Sequence, residues 1–226
     1  MSLEKYTGHK KHPGLYHKII NQIPKIRLNY YELFAGSASI YSLITRPHGF
    51  NSVLNDLDAE VHKKLLQKYT GVCVLNENAI DLLKNWRFIE DEFIFLDPPY
   101  HHSTRPNAME LYKHEMTNDD HIQLLNAVQD LKCNIMIIHP KCDLYDSVLS
   151  SWRKIEVKVR YHKKTSLEVL YMNYPEPLQL QDYSFLGNDC WDRQRIVRKV
   201  NSYVLKFKKL PVLERNFILE KLNQIE

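Results

Sequence analysis

The chain has 226 residues, 44% of them hydrophobic and 26% charged, with a formal net charge of +4. That is globular composition, enough for one large or two small domains with a real core and no disulfide or metal staple. Six glycines, and no apolar run near the ~18 residues of a membrane helix, exclude collagen-like, low-complexity and helical membrane-spanning readings.

The start, MSLEKYTGHKKHPG, lacks the apolar core of a secretory signal, so a cytoplasmic protein is expected. Cys73, Cys133, Cys142 and Cys190 are scattered and form no CxxC pair, which speaks against a zinc site. Charge is uneven. Residues 1–150 carry 16 Lys and Arg against 18 Asp and Glu, whereas residues 151–226 carry 15 against 9. A basic C-terminal part suits an anionic partner such as nucleic acid, although a solvated surface gives the same count.

In chain order, β-rich runs alternate with helical patterns. Strands are predicted at Asn29–Phe34, Ser52–Asn55, Val72–Leu75, Phe93–Asp97, Asn134–His139, Lys154–Arg160 and Glu168–Tyr174. Helices are predicted over 14–22, 38–46, 58–69, 79–86, 117–131 and 143–151. FIFL (93–96) and IMII (135–138) are continuously apolar, as strands covered on both faces would be. This alternation predicts an α/β fold around an open, mostly parallel sheet. A short loop, 161–167, permits only a hairpin, so the sheet should end antiparallel. Residues 101–116 have no clear period and read as a long loop. Beyond Pro175 the pattern becomes irregular, then gives helices over 191–207 and 211–224. Two parts are therefore expected, 1–175 and a helical extension, 176–226, packed on it.

Asp97-Pro98-Pro99-Tyr100 directly follows the FIFL strand. A carboxylate there faces the crevice where open α/β sheets bind ligands. Two prolines fix φ and remove two backbone donors, which leaves rigid carbonyl acceptors beside the flat face of Tyr100. Such a cluster can grip an amino group on a planar heterocycle, although Pro-Pro can equally serve only to stop the strand. Small residues, Ala35, Gly36 and Ser37, follow the first strand, where a nucleoside-type ligand packs against backbone. There is no GxGxxG and no GK[ST]. Asp56 ends the second strand, placed for ribose hydroxyls or for capping the next helix.

In this order the motifs resemble the Dam-like (D12) class of DNA adenine methyltransferases, over roughly residues 6–175, and most of all its small solitary members common in phages and prophages. YYELFAGSAS resembles the FxGxG motif, Leu54–Asp58 the acidic second motif, Val74–Ala79 the third, and Asp97–Tyr100 matches [DNS]PP[YF] in full. Gly8-His9-Lys10 resembles the N-terminal GxK motif. The resemblance implies a Rossmann-like seven-stranded methyltransferase fold, S-adenosylmethionine as cofactor, no metal, and a flipped-out adenine as target. Asp97, Pro98, Pro99 and Tyr100 are then catalytic. Lys10, Phe34, Ala35, Gly36, Ser37, Asp56, Asn78, Ala79 and Asp97 bind the cofactor. Two departures stand out: Ala38 replaces the second glycine of FxGxG, and only residues 81–92 separate the third motif from the DPPY strand, which leaves no room for the usual recognition domain.

DNA contacts are expected from Arg105, Tyr112 and Lys113 in the loop after DPPY, from Arg160, Lys163 and Lys164 in the terminal hairpin, and from Arg195 in the C-terminal run of basic residues. Nothing in the sequence demands more than a monomer. RNA adenine or the cytosine amine as target remains open, as does a non-catalytic nucleic-acid-binding module on the same scaffold.

Overall fold

The computed structural model describes residues 14–46, 51–105, 112–161 and 164–224, without the side chains of residues 160, 161 and 164. The chain divides into two units, residues 1–183 and 184–226.

In the first unit the continuously apolar runs form the middle of a sheet, because strands covered on both faces must be apolar at every position. Its strands are β1 (Asn29–Glu32), β2 (Asn51–Asn55), β3 (Cys73–Leu75), β4 (Phe93–Leu96), β5 (Asn134–Pro140), β6 (Arg153–Tyr161) and β7 (Lys164–Met172). Their order is β3-β2-β1-β4-β5-β7-β6. The first five are parallel; β7 runs antiparallel to both β5 and β6. This is the Rossmann-like seven-stranded sheet the sequence predicts. All four residues of β4 are buried. Successive side chains point to opposite faces, and Ile94 and Leu96 join Ile135, Ile137, Leu124, Leu125 and Tyr145 in the core of one face.

The helices of this unit are α1 (Leu15–Ile20), α2 (Ala59–Lys68), α3 (Ala79–Asn85), α4 (Asn118–Gln129) and α5 (Asp143–Val148). Their starts are written in the sequence. Asp58, Asn78 and Thr117 each accept a backbone N–H of the first turn, and Thr117 forms a reciprocal capping box with Asp120.

Two expectations are corrected. Residues 38–46 form successive turns rather than a helix, because Gly36 and Ala38 both adopt φ of 50°, a left-handed conformation that a right-handed helix cannot propagate through. The terminal hairpin is tighter than a loop over 161–167: Tyr161 pairs with Lys164. Residues 179–182 also run along the first unit. Lys25 N–H donates to the Gln179 carbonyl, Gln181 N–H to the Ile23 carbonyl, and the Asp182 carboxylate accepts from Thr45 N–H at 2.7 Å.

The second unit contains α6 (Cys190–Lys209) and α7 (Val212–Leu222). Asp189 caps α6 by accepting from Asp192 N–H. Leu210, which precedes Pro211, is extended (φ −71°, ψ 151°) and ends the helix. No residue of either helix is buried. Among the described residues, no helix is long and apolar enough to cross a membrane.

Candidate active site

The strand order reverses at β1, whose neighbours are β2 and β4. Open α/β sheets bind ligands at such a switch point, beyond the carboxyl ends of the strands. Here one cavity is lined by the loop after β1 (Phe34–Ser37), the ends of β2 and β3 (Asn55–Asp58, Glu77–Ile80), the end of β4 (Asp97, Pro99) and the strap Tyr112–Met116. Sequence motifs scattered from position 32 to 120 thus share one wall.

Asp56 holds the first loop. Its Oδ2 accepts from Gly36 N–H at 2.8 Å and its Oδ1 from Asp58 N–H at 2.9 Å. Burial pushes its carboxyl above the ordinary range. Each oxygen still has a second lone pair, so the same side chain can shape the loop and accept from a ribose hydroxyl. Asn78 accepts from Ile80 N–H at 2.8 Å and starts α3, with Ala79 beside it in the wall.

Sequence reasoning missed Asn55, which is fully buried. Its Nδ2 donates to the Leu33 and Glu77 carbonyls, and its Oδ1 accepts from Glu77 N–H. One amide ties the ends of three strands together; the available signal was a polar residue closing an otherwise apolar strand. Glu32 was also missed. It is 2% exposed, yet lines the cavity. Its Oε2 accepts from Tyr30 Oη (2.8 Å) and Tyr41 N–H (3.1 Å), and burial pushes its carboxyl up to about 8.

At the end of β4, Pro98 is buried while Asp97, Pro99 and Tyr100 are partly exposed. Tyr100 Oη donates to Glu168 on β7, a fully buried residue. The chain beyond Tyr100 is pinned by His139. His101 N–H donates to His139 Nε2 at 2.9 Å, so the ring proton sits on Nδ1, which donates to the Pro140 carbonyl at 2.7 Å. The His139 ring stacks on Tyr145, with centroids 4.0 Å apart. Burial pushes neighbouring His121 down to about 4.

The loop residues expected on DNA are differently placed. The Arg105 side chain is 1% exposed. It forms a two-pronged ion pair with Glu115 (2.8 and 2.6 Å) and also donates to the Tyr100 carbonyl. Its charge is spent inside the protein, not offered to a phosphate. Tyr112 and Lys113 line the cavity. Tyr112 stands edge-on to Tyr100, and Lys113 Nζ reaches Asp58 at 3.2 Å. Lys10 and Lys163, and the side chains of Arg160 and Lys164, lie outside the described residues. Arg195 is on α6, paired with Asp192 at 2.7 Å.

The donor set fits S-adenosylmethionine. Small residues (Ala35, Gly36, Ser37) line the cavity and let a nucleoside approach the backbone, and Asp56, Asp58 and Asp97 make the wall acidic, as a sulfonium and an ammonium group require.

Residues 62–166 match the family profile described as D12 class N6 adenine-specific DNA methyltransferase. No curated protein matches the sequence. Similar solved structures include M. capricolum TrmK in complex with S-adenosyl-homocysteine (8% identity, 92% of this chain and 94% of that one, TM-score 0.48). They also include a dimethyladenosine transferase from Plasmodium falciparum (16%, 72% and 62%, 0.46) and a putative methyltransferase, yhhF, from Escherichia coli (15%, 65% and 76%, 0.41). The family match supports the Dam-like resemblance. It makes the chain a methyltransferase with S-adenosylmethionine as its cofactor.

Proposed function

We propose that this enzyme methylates the exocyclic N6 amine of adenine in DNA, with the target base flipped out of the duplex. One observation carries the reading: Asp97, first residue of the DPPY motif, lines the same cavity as the Gly36 loop and Asp56. An acceptor for an amine therefore borders the space suited to the methyl donor.

When bound, the cofactor supplies a methyl group activated by sulfonium. The chain's own residues act on the acceptor. An adenine amine is a weak nucleophile because its lone pair is delocalised into the ring. Asp97 and the Pro98 carbonyl accept its two N–H bonds, draw the nitrogen towards tetrahedral geometry and favour the positive charge that develops there. Tyr100 stacks on the base, and its tether to Glu168 fixes the plane it offers. Asp56 and Asp58 would hold the ribose hydroxyls, and Asn78 and Ala79, in the same cavity wall, would flank the cofactor's adenine. A base inside a duplex cannot reach such a cavity, so flipping costs a few kcal/mol of pairing and stacking. The basic residues Arg160, Lys163 and Lys164 supply phosphate contacts.

The test is nucleoside mass spectrometry after incubation with S-adenosylmethionine and duplex DNA, single-stranded DNA or RNA. N6-methyladenine from duplex DNA, absent with an Asp97→Ala protein that stays folded, is the expected result. Methylcytosine, or product from RNA alone, would move the substrate.

A further inference from the structure

The two units differ in charge. Residues 1–183 hold 22 Lys and Arg against 22 Asp and Glu, a net of zero, whereas residues 184–226 hold nine against five. The catalytic cavity is itself acidic. Asp56, Asp58 and Asp97 stand in its wall, and Lys113, a cation there, is committed to Asp58. Beyond the hairpin cations Arg160, Lys163 and Lys164, a neutral unit with an acidic mouth offers a polyanion little net attraction. The third-motif helix α3 ends at Asn85 and β4 begins at Phe93, so no inserted domain supplies the missing affinity.

Helix α6 carries the compensating charge: seven Lys and Arg against Asp192 alone. At about 100° per residue, Arg195, Arg198, Lys199, Lys206 and Lys209 fall within an arc of roughly 100°, and along the axis they span about 21 Å. Ile196, Val200, Tyr203 and Phe207 fall in the neighbouring arc, centred about 120° away. Arg195 is partly neutralised by Asp192. Among the described residues no carboxylate pairs with the other four; Arg198 meets only the neutral Gln194 amide, and Lys206 lies over the Tyr203 ring. A solvated helix surface usually intersperses acids with bases. This stripe has none beyond its first turn.

We propose that the basic stripe of α6 is a phosphate-contact surface for duplex DNA. It supplies affinity for the polymer without reading its sequence, while the cavity of the other unit takes the base. Duplex DNA presents one negative charge per about 1.7 Å of axis, so a 21 Å row of cations meets phosphates at any sequence. The proposal rests on DNA being the substrate.

The test uses the full chain with Arg198, Lys199, Lys206 and Lys209 all replaced by alanine, the best helix former, so that α6 is retained. Circular dichroism checks that it is. Affinity for a 30-base-pair duplex is measured at several salt concentrations, together with kcat, the KM for DNA and cofactor affinity. Each lost phosphate contact should lower the slope of log K against log salt by about 0.9, hence by about 3 to 4 in all. The KM for DNA should rise at least tenfold while kcat and cofactor affinity stay put. An unchanged slope and KM would overturn the proposal. So would wild-type binding to phosphatidylserine vesicles that duplex DNA does not displace, which would assign the stripe to a membrane surface. Because the slope is read without turnover, a wild type that binds DNA through the stripe but methylates none refutes the substrate reading and leaves the surface standing.

Discussion

Tyr100 Oη lies 3.2 and 3.3 Å from the two carboxyl oxygens of Glu168, a wholly buried residue 68 positions further along the chain. Glu168 is fixed in turn: it sits on β7 opposite Pro140 and Val157, and Ser166 Oγ donates to its Oε1. The last residue of the catalytic motif is thus oriented from the antiparallel part of the sheet. Tyr100→Phe keeps the ring and removes the tether, so kcat should fall three- to tenfold with little change in cofactor affinity. Glu168→Gln should have a similar effect alone and none when added to Tyr100→Phe, a coupling of about 0.7–1.4 kcal/mol. Additive losses in this double-mutant cycle would show that Glu168 acts otherwise than through Tyr100.

Ala38 adopts φ of 50° and is fully buried. A left-handed conformation costs a residue with a Cβ about 1–2 kcal/mol. It persists because the surroundings determine it: the Ala38 carbonyl accepts from Ser42 N–H and from Tyr69 Oη. Ala38→Gly should raise stability by about 1 kcal/mol, or roughly 2–4 °C in Tm for a unit of this size. Thermal melts check this directly. A lower Tm would mean that lost packing outweighs relieved strain.

How far the sequence reached follows from which forces are local. The seven strands were legible because period and apolar runs are carried by neighbouring residues; the cap of α2 was not, since the sequence offers Asp56 for it and Asp58 fills it. The turns after Gly36 were not legible, since Ala38 gives no sign of a positive φ. The motif residues were found one by one, but Asn55 and Glu32 escaped notice because their partners are other strands' backbone and the Tyr30 and Tyr41 groups. Arg105 follows the same rule: in the sequence a loop arginine reads as a phosphate contact, and its ion pair with Glu115 is visible only in the fold.

That ion pair makes its own prediction. Arg105 grips both oxygens of Glu115 and the Tyr100 carbonyl, so it ties the strap over the cavity to the catalytic motif. Arg105→Ala strips the largely enclosed Glu115 carboxylate of its guanidinium while Tyr112 N–H still donates to it, which should cost about 3 kcal/mol in urea unfolding. Arg105→Lys should recover only part, because an ammonium cannot form the two-pronged contact. The salt dependence of DNA binding should not move in folded variants. A lower slope with unchanged stability would return Arg105 to the DNA interface.

Glu32 links stability to pH. Burial raises its carboxyl from 4.5 to about 8. The folded state therefore holds a proton that the unfolded chain releases above about 4.5. The associated stability is fully present below that value and is lost as pH rises through about 8. Wild-type stability should decline between about pH 5 and 8, and Glu32→Gln should flatten that decline and be the more stable form at about pH 9. Glu32 also lines the cofactor cavity. A cationic ligand there favours the ionised carboxylate, so binding at about pH 7 should release protons. Calorimetric titration with S-adenosylmethionine in two buffers of different ionisation enthalpy measures that release. It should fall in Glu32→Gln, and equal release by both proteins would exclude Glu32 as its source.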